Sequence, residues 1–180
     1  MHTTNLIRAT RGSPLVIGIG SPHGDDRAGW EVIDHLENRV SKPTERPLLL
    51  YKAAVPHDIL DWLHRDVQLH IIDACSSVDR SVARFEIVQD ESSGLQVRST
   101  TATSVSQASI VLKYLRSNSS HQFDLLSTLQ LAAVLGSLPP RIVLWTIPMI
   151  TTEKTADLSP QSLEYIAVCA VRIRQELCHA

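Results

Sequence analysis

The amino-acid sequence predicts an α/β fold, a three-layer sandwich in which a mainly parallel, twisted sheet carries helices on both faces. Short apolar segments alternate with helical patterns along the chain, and this alternation is typical of a parallel sheet covered on both sides. The first apolar segments are nearly continuous, as strands buried on both faces are. In such sheets the functional residues gather beyond the carboxyl ends of the strands.

The first part of the chain predicts three strands and two helices. Pro14–Gly20 is an apolar run that ends in glycine, which indicates a buried strand. Asp25 is the expected N-cap of the next helix, whose apolar residues recur at helical spacing as Ala28, Val32, Ile33 and Leu36. A second strand over Leu48–Ala53 precedes a helix over Pro56–His64, which has proline at its start. Gln68–Ala74 is the third strand.

The middle of the chain is less regular. Ser81–Gln89 alternates apolar and polar residues, as a half-exposed strand does. Ser92–Ser120 is rich in serine and threonine at both ends and holds one short helical pattern, Ala108–Leu115. Asp124–Leu135 is rich in helix formers and stops at Gly136, a common C-terminal signal.

A last strand over Pro140–Ile147 is followed by a final helix. That helix should begin near Ser159-Pro160 and run through Leu177, with an inner face made of Leu163, Ile166, Ala170 and Ile173. No repeat or linker interrupts the pattern, so residues 1–180 are expected to form one domain.

Composition limits the function. A formal net charge of −2 argues against nucleic acid or an anionic membrane as the main partner, because both require a concentrated basic face. No apolar run approaches the roughly 20 residues of a membrane helix, and the first residues show no signal-peptide pattern. The three cysteines are widely spaced and form no disulfide framework or CxxC zinc site, so we expect a reducing cytoplasm.

The loop after the first strand is the first candidate site. It reads Gly18-Ile19-Gly20-Ser21-Pro22-His23-Gly24-Asp25-Asp26. A glycine-rich loop entering a helix can bind a dinucleotide, but the spacing is not G-x-G-x-x-G and two carboxylates stand where a phosphate would lie. The pair can also be structural, with one aspartate capping the helix and the other complementing its dipole. That interpretation suits Asp25 better than Asp26.

Two further residues are candidates for chemistry. Asp73 closes an apolar strand, where an acidic group is usually paired, capping a turn or functional. His121 follows a polar loop and enters a helix. His23 and His57 could line the same site. The other histidines within predicted helices and strands are expected to be packed in the core or exposed to solvent; they are His35, His64 and His70. Cys75 lies near Asp73 but has no identifiable activating base.

In combination, these motifs resemble those of the hydrogenase maturation endopeptidases. The family has a strand entering a G-[IVL]-G-N-x-x-x-x-D-[DE]-G-x-G loop, matched here from Gly18 through Asp26 and Gly29. It also has a strand ending in Asp-Ala, matched by Asp73-Ala74. Its later markers correspond to Ser119-Ser120-His121, to Leu135-Gly136-Ser137-Leu138-Pro139 and to Leu158-Ser159-Pro160. The resemblance covers nearly the whole chain and keeps the order of the markers.

The resemblance implies a hydrolase that removes the C-terminal peptide from the large-subunit precursor of nickel–iron hydrogenase after nickel insertion. It implies that Asp26, Asp73 and His121 form a catalytic, metal-binding trio. Two carboxylates and an imidazole suit nickel, zinc or iron, so the cofactor is the nickel of the precursor or another divalent metal such as zinc. The expected partner is the hydrogenase large-subunit precursor, and the protein is expected to be a monomer.

Several positions depart from the family pattern. Ser21 replaces an asparagine, Arg27 replaces a glycine, and Ile147 stands before Pro148 where the family has an acidic residue. Asp73 and His121 are also farther apart in sequence than usual. Two alternatives therefore remain open: a non-catalytic metal- or partner-binding protein on the same scaffold, and a nucleotide-binding α/β enzyme.

Overall fold

The computed structural model describes residues 12–38, 47–76, 80–90, 94–99, 125–152 and 157–178. Within them, six strands form one sheet in the order β2-β1-β3-β6-β4-β5. The strands are β1 (Pro14–Ile19), β2 (Leu49–Ala53), β3 (Gln68–Cys75), β4 (Ala83–Asp90), β5 (Gly94–Ser99) and β6 (Arg141–Pro148). The helices are α1 (Ala28–Glu37), α2 (Leu125–Val134) and α3 (Pro160–Cys178), with 3-10 turns at Gly24–Arg27 and Pro56–Asp61.

The sheet is mostly parallel, as predicted. Strand β1 pairs in parallel with both β2 and β3, and β3 pairs in parallel with β6. Strand β4 then runs antiparallel to β6, and β5 antiparallel to β4. The carboxyl ends of β1, β2, β3 and β6 consequently meet at one edge of the sheet, which we call the carboxyl edge.

Helices cover both faces of this sheet. One face packs against α1 and α3 through a core that includes Val16, Val32, Ile72, Val143 and Ile166. The other face packs against α2 and the Pro56–Asp61 turn, with Ile17, Ile59, Ile71, Leu129 and Leu144 in its core. This arrangement confirms the predicted three-layer α/β sandwich.

Helix α3 begins as predicted, because Pro160 occupies its first turn and the Ser159 hydroxyl accepts a hydrogen bond from the Ser162 amide at 3.2 Å. Its predicted inner face is correct for Ile166, Ala170 and Ile173, which are buried. It is wrong for Leu163, which is 51% exposed, because Ser162 and Cys169 complete the buried face instead.

Other predictions differ in detail. The segment predicted as a helix over Pro56–His64 is a shorter 3-10 turn, Pro56–Asp61. Strand β5 was not predicted, and its six residues are joined to β4 as a hairpin. The helical pattern over Ala108–Leu115 lies outside the described residues. Of the helices the structure describes, none has the length and hydrophobicity to cross a bilayer.

Candidate metal site at the carboxyl edge

Asp26 and Asp73 reach the carboxyl edge from neighbouring parts of the sheet. Asp26 lies in the Gly24–Arg27 turn, which follows β1 after the short loop that contains Gly20. Asp73 is near the end of β3, the strand that pairs with β1. Because β1 and β3 are adjacent and parallel, the two residues lie at the same edge of the sheet, where the charge of Asp26 acts on the Asp73 carboxyl group. The prediction that both lie beyond strand ends is correct for Asp26, whereas Asp73 lies inside β3, two residues before the strand ends.

The two carboxyl groups influence each other electrostatically. Burial raises the pKa of Asp73 to about 8, and the negative charge of Asp26 acts in the same direction. A hydrogen bond from the Ala74 amide opposes this change without reversing it. Carboxylate oxygens are ligands that a divalent ion accepts, and such an ion would offset the repulsion between the two groups.

The third predicted ligand, His121, lies outside the described residues. The structure therefore describes two members of the predicted trio at this edge, and the assignment of all three as metal ligands stays a prediction. Within the described part of the chain, no group of three or more histidine, cysteine, aspartate or glutamate side chains is placed to hold a metal ion.

Close packing of β1 against α1 positions the loop that carries Asp26. A Cβ atom at Gly18 would collide with the backbone of Gly29, and one at Gly29 would collide with the backbone of Ile19. A Cβ atom at Gly20 would likewise meet the Asp26 carbonyl oxygen. Glycine is required at these positions for the close approach of two backbones rather than for phosphate binding.

Asp25 has a role different from the predicted one. It is not the N-cap of α1, a position that Arg27 occupies, and it lies inside the 3-10 turn. Its carboxylate instead accepts hydrogen bonds from the amides of Ile150 at 2.9 Å, Thr151 at 3.0 Å and Ser159 at 2.8 Å. Although burial alone would raise its pKa, these bonds and one from the Ser159 hydroxyl lower it below the usual value.

These contacts of Asp25 were missed because they join residues more than 120 positions apart. The only sequence signal was the acidic doublet itself, and local capping rules assign such a residue to the nearest helix start. Two of the amides that Asp25 binds belong to Ile150 and Thr151, loop residues that no motif distinguishes. The third belongs to Ser159 of the Leu158-Ser159-Pro160 marker, but nothing in that marker indicates a contact with Asp25.

Cys75 is a buried thiol next to the carboxyl pair. Burial raises its pKa to about 12, and the charge of Asp73 adds to the effect, although a hydrogen bond with the Thr146 side chain opposes it. Thr146 is paired with Asp73 in the strand register, so the three side chains lie side by side. A thiol that keeps its proton at neutral pH is a poor nucleophile, in agreement with the prediction that Cys75 is not catalytic.

The described histidines are peripheral to this pair. His70 is buried and its Nδ1 accepts a hydrogen bond from the Trp145 indole at 3.2 Å, as expected for a packed core residue. His23 and His57 are exposed in the turns that follow β1 and β2. No contact joins either of them to the carboxyl pair in the part of the chain that the structure describes.

Two of the departures from the family pattern are accommodated locally. Arg27 forms an ion pair with Glu31 one turn later, at 2.8 Å, so its charge is compensated beside Asp26. Ile147 is fully buried and packs in the core beneath α1 and α3. Because side chains alternate along a strand, Ile147 faces away from the side on which its neighbour Thr146 lies.

Comparison with solved structures identifies the fold. The chain is similar to the hydrogenase maturating endopeptidase HybD from E. coli, with 17% identity over 93% of each chain and a TM-score of 0.66. An endopeptidase from Escherichia coli matches 89% of each chain at 18% identity, with a TM-score of 0.64. The nickel–iron hydrogenase maturation protease HycI from Thermococcus kodakarensis KOD1 shares 17% identity over 91% of this chain and 90% of its own, with a TM-score of 0.58.

No protein-family model matches the chain, and no curated protein matches it in sequence. The resemblance found in the motifs is therefore confirmed in the fold, over about nine tenths of the chain, by structures of hydrogenase maturation endopeptidases.

Proposed function

We propose that this protein is an endopeptidase that removes the C-terminal extension of a nickel–iron hydrogenase large-subunit precursor after nickel insertion. The observation that carries the proposal is the electrostatic effect of Asp26 on Asp73 at the carboxyl edge of a fold shared with hydrogenase maturation endopeptidases. Repulsion between two carboxylates at a partly buried site is costly, and a cation would offset it.

Asp26, Asp73 and His121 are the residues that would hold the metal. Lewis-acid activation of the scissile peptide carbonyl is the chemistry that a divalent ion supplies when bound there. With a pKa of about 8, the Asp73 carboxyl retains its proton near neutral pH in the metal-free protein, and it would have to release that proton to bind a cation. The nickel of the precursor can serve as this cation, in which case the site also recognises a loaded substrate.

Among the described residues, the cysteine at this edge is not an available nucleophile. The Cys75 thiol remains protonated because its pKa is raised to about 12, and a protonated thiol attacks a peptide carbonyl poorly. This supports direct attack by water on the peptide, with the protein residues binding the metal and orienting the substrate.

The proposal places the protein in the cytoplasm, acting as a monomer on its precursor. Cys75, Cys169 and Cys178 are all free thiols, which is consistent with a reducing compartment.

Cleavage of a purified precursor tests the proposal. We expect the parent protein to shorten a nickel-loaded hydrogenase large-subunit precursor, detected as a loss of mass from its C-terminus, and to leave the nickel-free precursor intact. Asp73→Ala should abolish cleavage. Asp34→Ala is the matched control, because Asp34 pairs with Lys52 in an exposed ion pair. Equal cleavage by the parent and Asp73→Ala would contradict the proposal.

The main reason to consider the non-catalytic alternative is that the chain departs from the family pattern at Ser21, Arg27 and Ile147. A protein that only binds metal or the precursor would bind the nickel-loaded form and release it uncut. A nucleotide-binding protein would instead show a thermal shift with ATP or NAD, which our proposal excludes. Asp25 disfavours a phosphate site at this turn, because its lowered pKa keeps the carboxylate charged and that charge would repel a phosphate.

A further inference from the structure

Asp25 connects the turn that carries Asp26 to two distant segments. Its Oδ2 atom accepts hydrogen bonds from the Ile150 amide, the Thr151 amide and the Ser159 hydroxyl, at 2.9, 3.0 and 3.1 Å. Its Oδ1 atom accepts one from the Ser159 amide at 2.8 Å. With a side chain this completely bonded and only 1% of the residue exposed, the turn has little freedom to shift.

The segments that Asp25 binds belong to the sheet and to its covering helix. Ile150 and Thr151 follow β6, which pairs with the Asp73 strand, and Ser159 precedes the first residue of α3. Asp25 therefore ties the Gly24–Arg27 turn to the end of β6, and β6 is paired with the strand that carries Asp73. A second contact, from the Ser21 amide to the Asp26 carbonyl oxygen at 3.4 Å, closes the turn on its other side.

The rigidity of the turn limits how far Asp26 can move away from Asp73. A short 3-10 turn has few internal hydrogen bonds, and the charge of Asp26 is repelled by that of Asp73 whenever both are ionised. Without an external anchor, the turn could relax this repulsion by moving the Asp26 side chain toward solvent. The anchor opposes that movement.

We propose that Asp25 is a positioning residue that keeps Asp26 opposite Asp73 by anchoring the turn to the amides of Ile150, Thr151 and Ser159. The inference rests on the proposed function for its consequence, since the two carboxyl groups are the proposed metal ligands. Asp25 itself does not contact the metal or the substrate.

The key variant is Asp25→Asn. The amide keeps the volume of the carboxylate but has only one acceptor atom, so in either orientation its NH₂ group faces at least one N–H donor. Ser159→Ala is the matched control. It removes the hydroxyl bond to Asp25 and weakens the start of α3, while all three amide bonds to Asp25 remain.

Two measurements on the full chain separate positioning from general stability. Calorimetric titration with Ni²⁺ or Zn²⁺ should show that Asp25→Asn weakens affinity about tenfold or more, whereas Ser159→Ala stays within about twofold of the parent. Hydrogen exchange at the Ser21 amide, which reports the closure of the turn, should be faster in Asp25→Asn than in Ser159→Ala. Parental metal affinity in a folded Asp25→Asn would overturn the proposal.

If Asp25→Asn does not fold, Asp25→Glu replaces it, because glutamate keeps the charge and both acceptor atoms but displaces them by one methylene. We expect weaker metal binding in that variant too, and parental affinity would overturn the proposal. If the parent binds neither metal, the proposed metal site fails, and Ser21 exchange alone decides the role of Asp25. Unchanged exchange in the Asp25 variant would then contradict that role.

Discussion

The surroundings of Asp73 and Asp25 shift the pKa values of these two aspartates in opposite directions. Asp73 is withdrawn from water next to the charge of Asp26, and its pKa rises. Asp25 is also buried, but its hydrogen bonds outweigh burial, and its pKa falls. Burial therefore does not by itself determine the charge of a carboxyl group, because the donors around it decide the outcome. As a result, the Asp25 carboxylate is charged and hydrogen-bonded at neutral pH, whereas the Asp73 carboxyl group keeps its proton.

The raised pKa of Asp73 predicts how stability depends on pH. Its folded pKa of about 8 exceeds the ordinary 3.8, so the folded protein binds this proton more tightly than the unfolded chain does. The resulting stabilisation is complete below about pH 4 and is lost as the pH rises to about 8. Asp25 contributes in the opposite sense, and its contribution is lost only below about pH 4, in a separate range.

Asp73→Asn should remove this dependence from the metal-free protein. Relative to the parent, the free energy of unfolding of the variant should rise by up to about 4 kcal/mol between pH 5 and pH 9. Urea unfolding of both proteins at several pH values measures the difference. A constant difference across this range would show that Asp73 titrates normally.

Replacement of Cys75 tests whether the thiol takes part in catalysis. Because the thiol is buried and protonated, Cys75→Ser should cleave the precursor within about twofold of the parent rate. Cys169→Ser, on the buried face of α3, serves as the control for loss of a buried thiol. Loss of cleavage in Cys75→Ser alone, with normal metal binding, would give the thiol a catalytic role.

Among the elements, the contact between β1 and α1 sets the position of the site loop. Gly18 and Gly29 let the two backbones approach so closely that no Cβ atom fits between them. A methyl group at Gly29 should force the helix away from the strand and displace the Asp26 turn.

Gly29→Ala should consequently destabilise the protein by about 1–3 kcal/mol and weaken metal binding as well. Thermal and urea unfolding measure the first effect, and calorimetry measures the second. His35→Gln, on the exposed surface of the same helix, should change neither. A Gly29→Ala protein of parental stability would mean that the strand and helix are farther apart than described.

The elements also show where sequence patterns suffice. Strands β1, β2, β3 and β6 were predicted to within one or two residues, because continuous apolar runs bounded by turns have few other interpretations. Strand β5 was missed, since its mixed sequence Gly94–Ser99 gains its structure by pairing with β4 rather than from its own pattern. Leu163 was misassigned because helical spacing alone does not fix the width of a buried face.

For the whole molecule, the order of strands and helices was enough to predict the sandwich and the edge at which we propose the site. This order predicted Asp26 and Asp73 at the ends of two strands. Because those strands are adjacent and parallel, their carboxyl ends lie at the same edge of the sheet. The anchoring by Asp25 could not be predicted, because it depends on how the β6 exit and the start of α3 pack around the loop. Contacts between loops distant in sequence leave no periodic signal.

The location of a bound metal tests the central claim most directly. A crystal of the protein grown with Ni²⁺ and measured at the nickel absorption edge should show one anomalous peak, about 2.0–2.2 Å from donor atoms of Asp26, Asp73 and His121. Crystals of His121→Ala should lose the peak or show it much weakened. A nickel peak away from the two aspartates, or a peak unchanged in His121→Ala, would contradict the assignment of the trio.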